Sequence, residues 1–272
     1  MPETKKETFE LYSGAVQVEF ASVGHRYRIS ENGGKFIHAP SVTTVLNTLA
    51  KPALTPWSVK VVCDYMYDNL KLLMAGNSFS VEAVFKIIEQ ARVAHENVRQ
   101  EAADIGTAAH DWLESYWLSV VRKTDNPPLP EDGPVRNCVD AALSWIKEHD
   151  MKPILFERPF YSRLHGFTGK EDFAGLVDGE LSIIDYKSGR AIYPETALQT
   201  AAYAKMYEEE FGTPVARRWA LRLGKHDGKV EPKPYPAETL EADYETYLCV
   251  LKIYDRLKSL RRVPKKDFLE GL

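Results

Sequence analysis

The stretch GFTGKEDFAGLVDGELSIIDYKSG, residues 166–189, concentrates the groups able to do chemistry. Asp185 closes an apolar run, Leu181, Ile183 and Ile184, of the kind that forms a buried strand, and Lys187 follows two residues later. A period of two places both side chains on one strand face. A carboxylate and an ammonium at the end of a buried strand cost stability unless they pair or bind something. Asp172 lies on the preceding segment, and with Gly175 and Gly179 in the connection the two segments can fold back as a hairpin that brings Asp172 to Asp185. Two carboxylates beside a lysine suit a hard cation such as Mg2+ or Mn2+. Such an ion bridges phosphate oxygens and acidifies a bound water, while Lys187 orients the water or stabilises developing charge. Metal-assisted phosphodiester hydrolysis fits this set; for D-x-K taken alone, a surface ion pair is the plainer reading.

The elements that must position these groups follow from period and punctuation. Residues 8–38 read as a β-hairpin: VQVEF and HRYRI alternate, and Asn32, Gly33 and Gly34 supply turn chemistry. Ser41 or Thr43 can cap a helix running through Val42, Val45, Leu46 and Leu49. From Trp57 to Arg122 the pattern stays helical with a break near Gly76 and Asn77, and Val81 to Arg122 is long enough for two helices. The prolines at 127, 128, 130 and 134 mark an exposed loop. A helix over 135–149 then leads to three short, antiparallel strands, ILFERPFYS, FTGKEDFAGLVD and LSIIDYKS. Pro194 and Gly212 bracket a helix, RRWALRL reads as a strand, and Tyr244 to Leu260 as a last helix. The order predicts an α/β or α+β core with a mixed sheet, and a helical first half beside it.

Composition bounds the rest. A chain of 272 residues with 44% hydrophobic and 27% charged residues can bury a full core and is neither disordered nor fibrous. A formal net charge of -4 means that any nucleic-acid contact is local. Cys63, Cys138 and Cys249 have no ligand spacing, which argues against a disulfide framework, a zinc ribbon or an iron–sulfur cluster. There is no apolar leader or bilayer-length run, so a cytoplasmic location without membrane contact is expected.

Four motifs in order resemble the RecB-like PD-(D/E)XK nucleases: G-T-x-x-H-x-x-x-E in IGTAAHDWLE, G-x-x-G-x-x-D in GFTGKED, D-x-K-S-G in IIDYKSG and Q-x-x-x-Y in LQTAAYA. They cover roughly residues 104–210; Pro40 to Trp57 is more loosely similar to the amino-terminal part of phage-encoded exonucleases and of the mitochondrial genome maintenance exonuclease. The resemblance implies an α/β, restriction-endonuclease-like core over 135–272, with residues 1–134 as a hairpin and helical region that contributes His110. It implies Asp172 and Asp185 as metal ligands, Lys187 as the catalytic lysine, and His110 and the Tyr186 carbonyl as further ligands. Gln199 and Tyr203, one turn apart, would support the lysine or touch a phosphate. Glu157 is weighed as a ligand against an ion pair with Arg158 or Arg163, and Glu114 as a partner of the ligands. Glu171 stands where the family has an apolar residue; alternation points it away from the metal, and a one-residue slip would exchange it with Asp172. The cluster-bearing branch of the family has four cysteines, so no iron–sulfur cluster is expected.

DNA is the implied partner, as a single strand or a duplex end. Candidate contacts are Ser41, Thr43 and Thr44 at a helix start, where simple capping serves equally well. Others are Arg217, Arg218, Arg222, Lys225 and Lys229, and the late run Arg256, Lys258, Arg261, Arg262, Lys265 and Lys266. Trp57, Tyr65, Tyr67 and Phe79 could stack on bases or serve as core. The expected activity is a Mg2+- or Mn2+-dependent DNA exonuclease of phage or bacterial recombination, repair or replication, with partner proteins of those processes possible. An endonuclease or flap-trimming enzyme, and an idle end-binding protein, are the alternatives.

Overall fold

A computed structural model describes residues 6–21, 24, 26–76 and 79–261. His25, Asn77, Arg262, Lys265 and Lys266 lie outside the described residues. The chain forms two compact units, residues 1–49 with 110–272, and residues 50–109.

The first unit opens with an antiparallel meander of β1 (Lys6–Leu11), β2 (Val16–Ala21), β3 (Arg26–Glu31) and β4 (Ile37–Ala39), four strands where a single hairpin is expected. Asn32 and Gly33 turn β3 back with φ of 49° and 71°, and Gly34 N–H closes the turn on Glu31 O at 2.9 Å. Both central residues are left-handed, which is why Asn-Gly is favoured there. Leu11, Val16, Val18, Phe20, Tyr27 and Ile29 are buried on one face with Tyr161. Helix α1 (Val42–Leu46) stops short of Leu49; Ser41 caps it, its hydroxyl accepting Thr44 N–H at 3.1 Å.

The central sheet has the order β5 (Met151–Ser162), β6 (Phe167–Val177), β7 (Glu180–Lys187), β8 (Arg217–Leu223), β9 (Val230–Tyr235). It is mixed: β7 and β8 are parallel and the other pairs antiparallel. A parallel neighbour requires a crossover, here a helix over Glu195–Phe211. That helix ends at Gly212, left-handed at φ 67°, as its glycine predicts. Ala201, Ala202, Tyr203 and Ala204 in succession are buried, so the crossover helix is covered on all sides. It packs with Val42, Val45 and Leu46 of α1, with Phe160, Phe167, Ala174 and Ile183 of the sheet, and with Tyr247, Val250 and Leu251 of the last helix, Leu240–Arg261. Each fully buried large apolar side chain in this cluster contributes about 1.5–3 kcal/mol. The alternating helices and mixed sheet make an α/β fold consistent with a restriction-endonuclease-like core.

Three further helices complete the described α-helical elements. In the second unit, α2 (Leu54–Ala75) is followed by α3 (Val81–Arg122), one 42-residue helix rather than two, passing through Gly106 unbroken. A helical glycine costs about 1 kcal/mol, too little to break a helix that long. The division between the units falls within α3, and its His110 onward belongs to the first. Trp117 there is buried, its ring 4.9 Å from that of Phe173 on β6. Helix α4 (Gly133–Glu148) starts on Asp132, whose Oδ1 accepts Val135 N–H at 3.0 Å, and sets Trp145 5.7 Å from Trp219 of β8. In chain order the crossover helix is α5 and the last helix α6. No helix among the described residues is long and apolar enough to cross a membrane.

Candidate active site

Strands β6 and β7 place the acids. Their ladder runs to Phe173 opposite Ile184. Just beyond, the amide N–H of Tyr186 donates to Asp172 Oδ2 at 2.7 Å, so a side chain takes over where a backbone carbonyl would continue the ladder. The other oxygen, Oδ1, lies 3.2 Å from His110 Nδ1, and the same ring nitrogen is 3.3 Å from Glu157 Oε1. One donor atom each from His110, Glu157 and Asp172 lies within 4.8 Å of the others. An imidazole nitrogen with two carboxylate oxygens is a donor set able to hold a divalent cation.

Glu157 reaches this group from an irregular strand. Its φ is 47°, left-handed for a non-glycine residue inside β5, while the β5–β6 register slips between Pro153 and Leu155. Such backbone costs about 1–3 kcal/mol and persists only where the surroundings enforce it. Glu157 does not pair with Arg158 or Arg163: Arg158 forms a two-pronged ion pair with Glu210 at 2.6 and 2.9 Å, and Arg163 reaches Glu31 at 3.1 Å. Its second oxygen instead meets Lys170 Nζ at 2.5 Å.

A second cluster adjoins through β7. Lys187 Nζ lies 2.6 Å from Asp185 Oδ2 and donates to Gln199 Oε1 at 3.0 Å. Gln199 Nε2 donates to Asp185 Oδ1 at 2.8 Å and to Tyr203 Oη at 3.2 Å. Gln199 and Tyr203 therefore both face the strand from α5. Tyr203 also explains the second glycine of GFTG: a Cβ on Gly169 would stand 2.5 Å from its ring.

Electrostatics separate the two aspartates. Burial opposes charge on Asp172, but His110, Lys187 and the Tyr186 amide overcome it and hold its carboxyl below the usual range. Burial dominates at Asp185; despite Lys187, and with Asp172 adding repulsion, its pKa is pushed up to about 6. His110 is raised well above the ordinary imidazole value: burial works against the proton, and Asp172 and Glu157 outweigh it. Burial also raises Glu114, one helical turn along α3.

Glu171 lies outside the His110–Glu157–Asp172 group but is fully buried. Burial, then the charges of Asp172 and Asp185, raise its carboxyl well above the usual carboxylate range. The Tyr186 ring stands edge-on to His110 at 6.0 Å and its hydroxyl accepts from Trp117 Nε1 at 3.4 Å.

The three arginines of β8 differ in placement. Arg218 is 2% exposed, donating to Ala197 O at 3.0 Å and to Thr239 Oγ1 and Asp243 Oδ2 at 2.8 Å, so its guanidinium is not offered to a phosphate in solvent. Arg217 pairs with Glu180 across the β7–β8 edge, and Arg222 with Glu231. Ser41 is buried and committed to its cap, while Thr43 is exposed. In the second unit Tyr67 and Phe79 are exposed, and Tyr65 donates to Gln90 at 3.0 Å. Lys170 is the residue beside the acids that sequence reasoning passed over; its place in GKED, two before Asp172, is the signal that could have found it.

A family profile for the PD-(D/E)XK nuclease superfamily matches residues 78–266. The chain belongs to that superfamily, and it is a nuclease by that membership. No curated protein matches it.

Proposed function

We propose that the protein is a divalent-metal-dependent DNA exonuclease, hydrolysing phosphodiester bonds from strand ends in phage or bacterial DNA recombination, repair or replication, within the cytoplasm. The carrying observation is the convergence of His110, Glu157 and Asp172 within 4.8 Å, next to the Asp185–Lys187–Gln199 cluster. The order of the four motifs, similar to that of the RecB-like nucleases, and the looser likeness of Pro40 to Trp57 to phage-encoded exonucleases support attack at ends over internal cleavage.

In this reading His110, Glu157 and Asp172, with Asp185 and the Tyr186 carbonyl, would hold Mg2+ or Mn2+. A bound ion supplies charge neutralisation at the phosphate and a lowered pKa for water. Lys187 does the positioning: pinned between Asp185 and Gln199, its ammonium donates to the attacking water or to the phosphate oxygen gaining charge. Gln199 fixes the lysine rotamer, and Tyr203 fixes Gln199.

The test is a nuclease assay of wild type, Lys187→Ala and Asp185→Ala on 5′- and 3′-labelled strands with Mg2+ or Mn2+. Wild type should cleave, EDTA should stop it, and both variants should be inactive; wild-type rates in either variant remove the mechanism. A circular single strand left intact separates an exonuclease from an endonuclease or flap-trimming enzyme. DNA binding without cleavage of any substrate would mark an idle end-binding protein.

A further inference from the structure

Lys170 stands two residues before Asp172 on β6, on the same strand face. Its ammonium lies 2.5 Å from Glu157 Oε2, while Glu157 Oε1 is 3.3 Å from His110. One carboxylate is thus divided between two cationic or proton-bearing groups. Lys170 Nζ also stands 5.7 Å from the centre of the Phe20 ring on β2. The Glu157 side chain is 6% exposed, that of Lys170 28%. A carboxylate buried that far is destabilising unless compensated, and Lys170 is the compensating charge on the Oε2 side.

A dication bound by the same carboxylate would provide that compensation instead, and it would repel an ammonium in contact with one of its own ligands. The two cations therefore compete for Glu157. We infer that Lys170 is the resident counter-cation of the metal site: it holds Glu157 in ligand position when no dication is bound, and weakens the hold on the metal when one is. Lys170 is thus a positioning residue that sets metal affinity. The inference rests on the reading of His110, Glu157 and Asp172 as metal ligands.

Calorimetric titration of the full chain with MnCl2, at fixed pH and ionic strength, tests it. Wild type should bind; Lys170→Met should bind about tenfold more tightly, and Lys170→Arg, which keeps the charge, within about twofold of wild type. Melting adds a readout that a merely structural lysine would not give. In EDTA, Lys170→Met should melt below wild type, and saturating Mn2+ should close or invert that gap. Equal or weaker Mn2+ binding by Lys170→Met, or an equal gain in Lys170→Arg, overturns the inference. Should Lys170→Met not fold, as read by circular dichroism, Lys170→Gln makes the same charge comparison while keeping a hydrogen-bond donor. Absence of Mn2+ binding by wild type defeats the ligand reading itself, whereas binding without the predicted gain defeats only the role of Lys170.

Discussion

Gln199 ties Asp185 to Lys187 with a single amide: its Nε2 donates to Asp185 Oδ1 at 2.8 Å and its Oε1 accepts from Lys187 Nζ at 3.0 Å. The two ends of the amide match the two signs of charge, so the side chain has one productive orientation. A residue without both a donor and an acceptor cannot replace it.

Gln199→Ala should therefore leave a buried carboxylate and an ammonium each short of a partner. The expected stability cost is about 1–3 kcal/mol, read as a shift in urea midpoint with unchanged slope. Nuclease turnover should fall by about ten- to a hundredfold, the range for removing a residue that orients a site group. Wild-type turnover would show that the amide does not position Lys187.

Gly169→Ala should destabilise through Tyr203. The added methyl would sit 2.5 Å from the ring, which is buried and cannot withdraw without moving Gln199. Overpacking of this kind costs about 1–3 kcal/mol. Gly169→Ala combined with Tyr203→Leu should recover part of the loss; a double variant as unstable as the sum of the singles would mean the clash is relieved elsewhere.

Arg218→Met should cost about 3 kcal/mol in thermal or denaturant unfolding, because Asp243 and two further acceptors, Ala197 O and Thr239 Oγ1, lose their shared donor. The affinity of the folded protein for a single-stranded oligonucleotide, measured by anisotropy at low temperature, should not change. A loss of affinity with unchanged stability would reverse this assignment.

His110 gives the pH dependence. Its pKa is raised in the folded chain above the unfolded value, so without metal its stabilising contribution is complete below about 6.5 and is lost as pH rises through the folded value. Metal binding must displace that proton, so Mn2+ affinity should increase with pH over the same window. In EDTA, His110→Gln should lose stability relative to wild type mainly at the acid end. A wild-type minus variant difference that is flat from pH 6 to 9 would remove the imidazolium from the Asp172–Glu157 pair.

The core of the site was readable because its chemistry is local: D-x-K on one strand, two glycines before the first aspartate, and a Gln and Tyr one turn apart survive as patterns of spacing. What long-range packing decides was not. RRWALRL offers three arginines that look alike in sequence; only the fold shows that Arg218 points into the protein to meet Asp243. Strand β9 was missed because Pro232 and Pro234 argue against a strand, yet at the sheet margin a residue without an amide hydrogen is tolerated. Lys170 was overlooked because its partner, Glu157, is brought to it only by a left-handed kink that no residue type there announces.

The prolines have one more effect. The outer strands of the five-stranded sheet, β5 and β9, carry two each, Pro153 and Pro159 on one side and Pro232 and Pro234 on the other. A foreign extended peptide approaching either rim meets gaps in the row of amide hydrogens it would need to zip onto. Both rims of this sheet are therefore poor templates for backbone pairing with another chain.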